Sequence, residues 1–276
     1  MTTAPPAAVP DLTVLARSLR AEWTKLRTLP STAWLLLGIA ALTVAISAAA
    51  AAPVDTGPCP TPAQCYEDTV ELSLSGVRLG QALAVVLAVL TISGEFGGGT
   101  IRATLAAQPR RLTVLLAKAA VLAAAVAAAG TLGVLGSLAA GRAILPGNGF
   151  TEANGYPAAS LMDGPTLRAA TGTVLYLVLV ALLSMGVATA VRDTAGSITA
   201  VLALLYASPI VTMLVTDPEW RERVQKLMPM DAGLAVQATT QLDRLPIGPW
   251  AGLGVLAAYT AGALLLGGAL FKLRDQ

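Results

Sequence analysis

Histidine is absent from the chain. That removes the commonest general base and metal ligand, and with it most intramembrane hydrolase chemistry. Charge is scarce too: Asp, Glu, Lys and Arg make up 12% of 276 residues, against about 25% in a typical soluble domain. A soluble fold of this length needs more polar surface to cover its core. Aromatics stand at 4% and the net charge is only +2. With no basic patch interleaved with aromatics, nucleic acid is not an expected partner. No cluster has metal-ligand spacing, and no lysine is followed by Ser or Thr as a P-loop requires. No metal, and no ATP, is expected on this chain itself.

What the chain has in quantity is apolar sequence: 55% hydrophobic residues and a mean hydropathy of +0.70. A crossing of the hydrocarbon core takes about 20 apolar residues at 1.5 Å each. Six segments meet that length, at about 33–52, 72–93, 113–140, 169–190, 195–216 and 249–271. They predict an all-α integral membrane protein with six transmembrane helices. The second run needs an argument, because its uncharged part from Leu79 to Ser93 spans only roughly 22 Å of helix. An upstream extension across Arg78 is expected, since downstream lies a glycine cluster that forms poor helix.

Lysine and arginine set the orientation. With both termini cytoplasmic, eleven basic residues fall inside and seven outside. The short segments decide it. Residues 53–77 hold no basic residue, whereas 94–118 hold Arg102, Arg110, Arg111 and Lys118.

Residues 1–10 are expected to be a disordered tail, with 11–276 forming one transmembrane domain. Ahead of the first span, DLTVLARSLRAEWTKLRT places Leu12, Leu15, Leu19, Trp23 and Leu26 three or four apart. This is the pattern of an N-terminal amphipathic interfacial helix carrying Trp23, Lys25 and Arg27, with Trp23 at headgroup depth. A positively charged flank that only fixes topology explains the same residues. The stretch from Ile46 to Pro53 resembles a signal-peptide cleavage region, but the long flank before it argues for a retained helix.

On the outer side, Cys59 and Cys65 in CPTPAQC are the only cysteines, and a disulfide is compatible with an oxidising face. DPEWRERVQKLM predicts a short surface helix with Asp217 as N-cap and Pro218 at its first position. Trp220, Val224 and Leu227 share one of its faces. Arg78 either snorkels to the outer headgroups or faces an internal cavity beside Gln81, on a substrate path. Gly133, Gly136, Gly248, Gly252, Gly254 and the Ala119–Ala129 run permit close helix approach, within one chain or between two. Ser208–Pro209 is expected to kink the fifth span.

The densest polar feature between spans is GEFGGGTIRATLAAQPRR, from Gly94 to Arg111. Glu95-Phe96-Gly97-Gly98-Gly99-Thr100-Ile101-Arg102, followed by Leu105, Pro109 and Arg110, resembles the first cytoplasmic loop of permease subunits of bacterial type-two ATP-binding-cassette exporters. Glu22 to Thr28 (EWTKLRT) is similar to that family's N-terminal interfacial helix. The triple glycine departs from the bulkier residues common in such loops. The resemblance implies a permease in the bacterial cytoplasmic membrane, paired with a second copy and docked on two separate ATPase subunits that hold ATP and Mg. It further implies that Glu95, Gly99, Thr100, Arg102, Pro109, Arg110 and Arg111 form the ATPase-docking coupling loop. Such a subunit exports an amphiphilic or apolar substrate and performs no covalent chemistry. An ordinary basic loop meeting anionic lipid is the plainer account of the same arginines. A dimeric secondary drug transporter and a non-transporting membrane anchor or sensor are the rival functions.

Overall fold

A computed structural model describes residues 12–57, 67–97, 111–214 and 217–273. Every regular element among them is helical. The expected N-terminal tail, Cys59, Cys65 and residues 98–110 of the polar loop lie outside the described residues.

Helix α1 (Leu12–Thr28) carries the EWTKLRT motif. Leu29 adopts an extended backbone before α2 (Pro30–Ala51), because a residue preceding proline is driven out of the helical region. Pro30 then starts α2, where its missing N–H costs nothing. Asp68 caps α3 (Thr69–Leu74), its carboxylate accepting from the N–H groups of Val70 and Glu71. At Ser75–Gly76 the helix breaks and tightens. Arg78 N–H donates to the Ser75 carbonyl and Leu79 N–H to that of Gly76, each at 3.1 Å.

Gly76 explains why the break sits there. Its N–H donates to Ser47 Oγ at 3.0 Å, and a Cβ at this position would strike the Thr43 carbonyl and Ser47 of α2. Helix α4 (Val77–Gly97) follows. The second run thus reaches upstream across Arg78 as expected, but as two helices. It also continues past Ser93, through Glu95 to Gly97, further than the glycine cluster led one to expect.

Helix α5 spans Arg111–Ile144, and α6 spans Gly164–Val191 with Pro165 in its first turn. Helices α7 (Thr194–Leu214), α8 (Pro218–Leu227), α9 (Pro229–Leu234) and α10 (Pro249–Leu273) follow among the described residues. As the sequence predicts, Asp217 caps α8, accepting from Glu219 N–H at 2.9 Å. On α8 the Arg223 guanidinium lies 5.2 Å from the Trp220 ring centre. The hydrogen bond from Lys226 holds the Glu222 carboxyl below its ordinary range.

Among the described residues, five stretches are long and apolar enough to cross a membrane: Pro30–Ala51, Thr69–Gly94, Leu112–Asn148, Gly164–Val191 and Pro249–Leu273. The expected fifth span, 195–216, falls on α7, whose apolar stretch Thr194–Ser208 is shorter. The helix itself remains continuous through the Ser208–Pro209 step.

Helix α6 is the hub of the packing, in contact with α4, α5, α7, α9 and α10. One apolar core joins Ile39, Val85, Leu122, Tyr176, Leu205 and Leu256 from six helices. The α6–α10 crossing is close, since a Cβ on Gly186 would lie 2.6 Å from the Ala263 carbonyl carbon. Gly133 and Gly136 of α5 pack on α2, and Gly252 packs on Ala232, so these small residues serve contacts within one chain. Gly248 and Gly254 have nothing against them. Hydroxyls inside the bundle donate back to carbonyls four residues earlier: Thr43 to Ile39, Ser93 to Val89, Ser184 to Val180 and Thr189 to Met185. A medium without water demands such internal partners.

Candidate functional site

Polar chemistry gathers at the two ends of the bundle. The first end holds α1, the start of α2, the end of α4 and the start of α5. There Lys118 of α5 donates to Glu22 Oε2 at 2.6 Å, and Lys25 donates to Oε1 at 3.0 Å. The side chains of Glu22 and Lys118 are 7% and 4% exposed, that of Lys25 44%. A carboxylate and an ammonium are costly to desolvate singly. Placed together they tie α1 to α5 at a fixed register.

Glu22 and Lys118 escaped the sequence reading as a pair, because 96 positions separate them. Trp23 and Arg27 point away from this bridge and are exposed, Trp23 by 50%. Beside the bridge lies a cavity of about 370 Å3, bounded by α1, α2, α4 and α5, with Leu26, Leu87 and Leu90 among its walls. Of the expected docking residues, Glu95 lies on the last turn of α4 and Arg111 opens α5, with their side chains outside the description. Gly99, Thr100, Arg102, Pro109 and Arg110 fall in the undescribed loop. Its two ends nevertheless lie at this end of the bundle, since Gly94 and Lys118 both line the cavity.

The opposite end separates the two residues expected together on a substrate path. Gln81 is 0% exposed and sealed in the core: its Nε2 donates to the Arg78 carbonyl at 3.0 Å and to Met230 Sδ at 3.2 Å. Its Oε1 accepts from the Tyr176 hydroxyl. Arg78, by contrast, directs a 55% exposed side chain outward, 3.8 Å from the Glu71 carboxylate. It lines a cavity of about 300 Å3 with Glu71, Asp231 and apolar residues including Leu234 and Leu245. Tyr206 donates to the Arg78 backbone carbonyl.

The sequence places Asp231 in an outer loop, with no acid inside a span. The structure brings it against α7, where its carboxylate accepts from Ser208. This follows from α9, a short helix buried against α10 and α7; Met230, Ala232, Leu234 and Val236 are all buried. The connection after α9 is held from three directions. Arg168 donates to the Ala238 carbonyl at 2.6 Å. Gln237 donates to Thr173 Oγ1 at 3.3 Å and to the Leu74 carbonyl at 3.4 Å. Asp68 accepts from Thr239 Oγ1 at 2.8 Å, from Thr240 N–H at 2.9 Å and from Thr239 N–H. One signal for this joint was present in the sequence: an Asp three residues before Glu71 is a helix-start pattern.

Neither a protein-family model nor a curated protein matches the chain.

Proposed function

We propose that this chain is the permease subunit of an ATP-binding-cassette exporter, moving an amphiphilic or apolar substrate across a bacterial cytoplasmic membrane. A separate ATPase pair would drive it, with ATP and Mg bound there. In this reading α7 is the fifth of six spans, both termini are cytoplasmic, and a second permease copy completes the pathway. Beside the loop resemblance stands the EWTKLRT motif, which is helical, with its Glu22 bridged to Lys118. That single observation carries the proposal. A push delivered at residues 98–110 meets α1, α4 and α5 at a joint made rigid by buried charge.

The test is co-expression with the ATPase encoded beside this chain, purification, and ATP hydrolysis in lipid nanodiscs. A stable complex is expected, with hydrolysis that depends on this subunit and falls in Arg102→Glu. Normal association of Arg102→Glu would remove the docking role. Absence of any complex with a well-folded permease would remove the reading itself.

The Asp231 carboxylate against α7 favours a second reading, ion-coupled secondary transport, because coupling uses an ionisable group within the bundle. Export that ignores ATP, collapses with the proton gradient and is lost in Asp231→Asn would select it.

A further inference from the structure

The cavity at the Arg78 end of the bundle, about 300 Å3 in volume, stands at the lower bound of small-molecule sites. One wall comes from α9 and the turn after it, where Asp231, Leu234 and Ala238 fall three or four positions apart and line the same side. Glu71 of α3 and Arg78 of α4 contribute a second wall, and Leu245 and Ile247 a third. Among the described residues of this lining, two carboxylates stand against one guanidinium. That guanidinium is engaged: it lies 3.8 Å from the Glu71 carboxylate. Asp231, partly buried, has no ion pair among the described residues, and its partner is the Ser208 hydroxyl. A hydroxyl carries no charge to offset a carboxylate. It also occupies one acceptor position of the roughly four that a carboxylate offers. The cavity therefore has one negative charge in excess, located at Asp231, with hydrocarbon one helical turn away at Leu234.

We propose that this cavity binds a cationic amphiphile of the alkylammonium class, its ammonium donating to Asp231 and its hydrocarbon resting against Leu234, Leu245 and Ile247. The inference stands apart from both transport readings: it needs the cavity and its carboxylate, and neither ATP nor a proton gradient. Arg78 has a defined part in it. Paired with Glu71, it keeps that second carboxylate from the ligand, so the site holds one cation and at moderate strength. The guanidinium that the sequence places on a substrate path is thus a restraint on binding, and the recognition element is the aspartate.

The experiment is photolabelling of the full chain in phosphatidylcholine nanodiscs with a diazirine-bearing alkylammonium, mapped by peptide mass spectrometry. Saturable labelling of α9 around Leu234 and of residues 245–247 is expected. Adamantylammonium should compete, whereas adamantanol and adamantanecarboxylate, built on the same cage, should not. Asp231→Asn, which keeps the side-chain shape and an acceptor for Ser208, should weaken labelling about tenfold, the loss of one charge-assisted contact. Arg78→Gln releases Glu71 and should strengthen labelling about threefold, a gain that a merely structural role for Arg78 does not produce. Leu245→Trp, at a partly exposed position, should block labelling by filling the cavity, with helicity and elution volume unchanged. Equal competition by adamantanol would overturn the proposal, as would labels spread evenly over the lipid-facing helices. Unchanged labelling in Asp231→Asn, with the fold intact, would overturn it too. Weaker labelling in Arg78→Gln would show that the guanidinium itself holds the ligand, and would overturn the selection for cations.

Discussion

Lys118 Nζ lies 2.6 Å from Glu22 Oε2, joining the helix before the first long apolar helix to the start of α5 across 96 residues of sequence. Deleting one partner of a buried pair leaves a charge with nothing to offset its desolvation, at a typical cost of 3–5 kcal/mol. Lys118→Met leaves Glu22 with Lys25 beside it, so a loss nearer ~3 kcal/mol is expected. The double variant Glu22→Gln, Lys118→Met should recover much of that loss. Thermal unfolding in detergent of the two single variants and the double gives the coupling directly. Additive losses would show that the pair contributes nothing as a pair.

A second test concerns Tyr176 and Gln81, both fully buried and bonded to each other. Tyr176→Phe strands the Gln81 carbonyl oxygen without this donor, at a cost of about 1–3 kcal/mol. Gln81→Leu strands the hydroxyl and loses the bonds to Arg78 and Met230 as well, so it should be the worse variant. Together the two substitutions remove both polar groups and should cost less than their sum. If Gln81 instead contacts substrate, its variant will lower transport while leaving the melting temperature unchanged.

The long apolar helices were legible because a bilayer imposes a ruler: length and hydropathy alone located every stretch that the structure shows as long enough to cross. The Asp217 cap and Pro218 start were legible for an equally local reason. What the sequence hid is non-local. Nothing near Glu22 points to Lys118, and nothing near Asp68 points to Thr239. The buried segment from Pro229 to Ala238 is too short to register as a span, so sequence alone places it, with Asp231, in an outer loop. Gln81 looked like a cavity residue because a polar group in an apolar run demands a reason. Its reason is Tyr176, on a helix 95 positions away.

The α6–α10 crossing yields a paired prediction. A Cβ on Gly186 would fall 2.6 Å from the Ala263 carbonyl carbon and 2.7 Å from Leu264 N. These are backbone atoms, which give only if the helices part. Gly186→Val should therefore destabilise by 1–3 kcal/mol or more, seen as early unfolding or loss of monodisperse protein. Gly254, on α10 with nothing against it, is the control. There Ala should be neutral or gain up to about 1 kcal/mol from helix propensity alone. Equal effects at the two positions would mean that the α6–α10 crossing does not depend on close approach at Gly186.

Asp68 joins the start of α3 to the connection after α9, accepting from Val70 and Glu71 on one side and from Thr239 and Thr240 on the other. Asp68→Ala removes the cap and the tie together. Loss of a cap alone costs about 1 kcal/mol, and the amides of Thr239 and Thr240 then lose their acceptor. Local opening of residues 235–241 should follow, because their remaining ties are the bonds from Arg168 and Gln237. Hydrogen exchange on peptides covering 235–241 and 67–74 measures both sides of the joint. Faster exchange in both peptides, with α6 unchanged, is the expected pattern. Asp68→Asn separates the two roles: its side-chain oxygen still caps α3, while its NH2 faces donors where the carboxylate offered an acceptor. Protection should therefore survive at 67–74 and fall at 235–241. If protection survives in both, Asp68 is only a cap, and the connection after α9 is held by burial of Val236 and its neighbours.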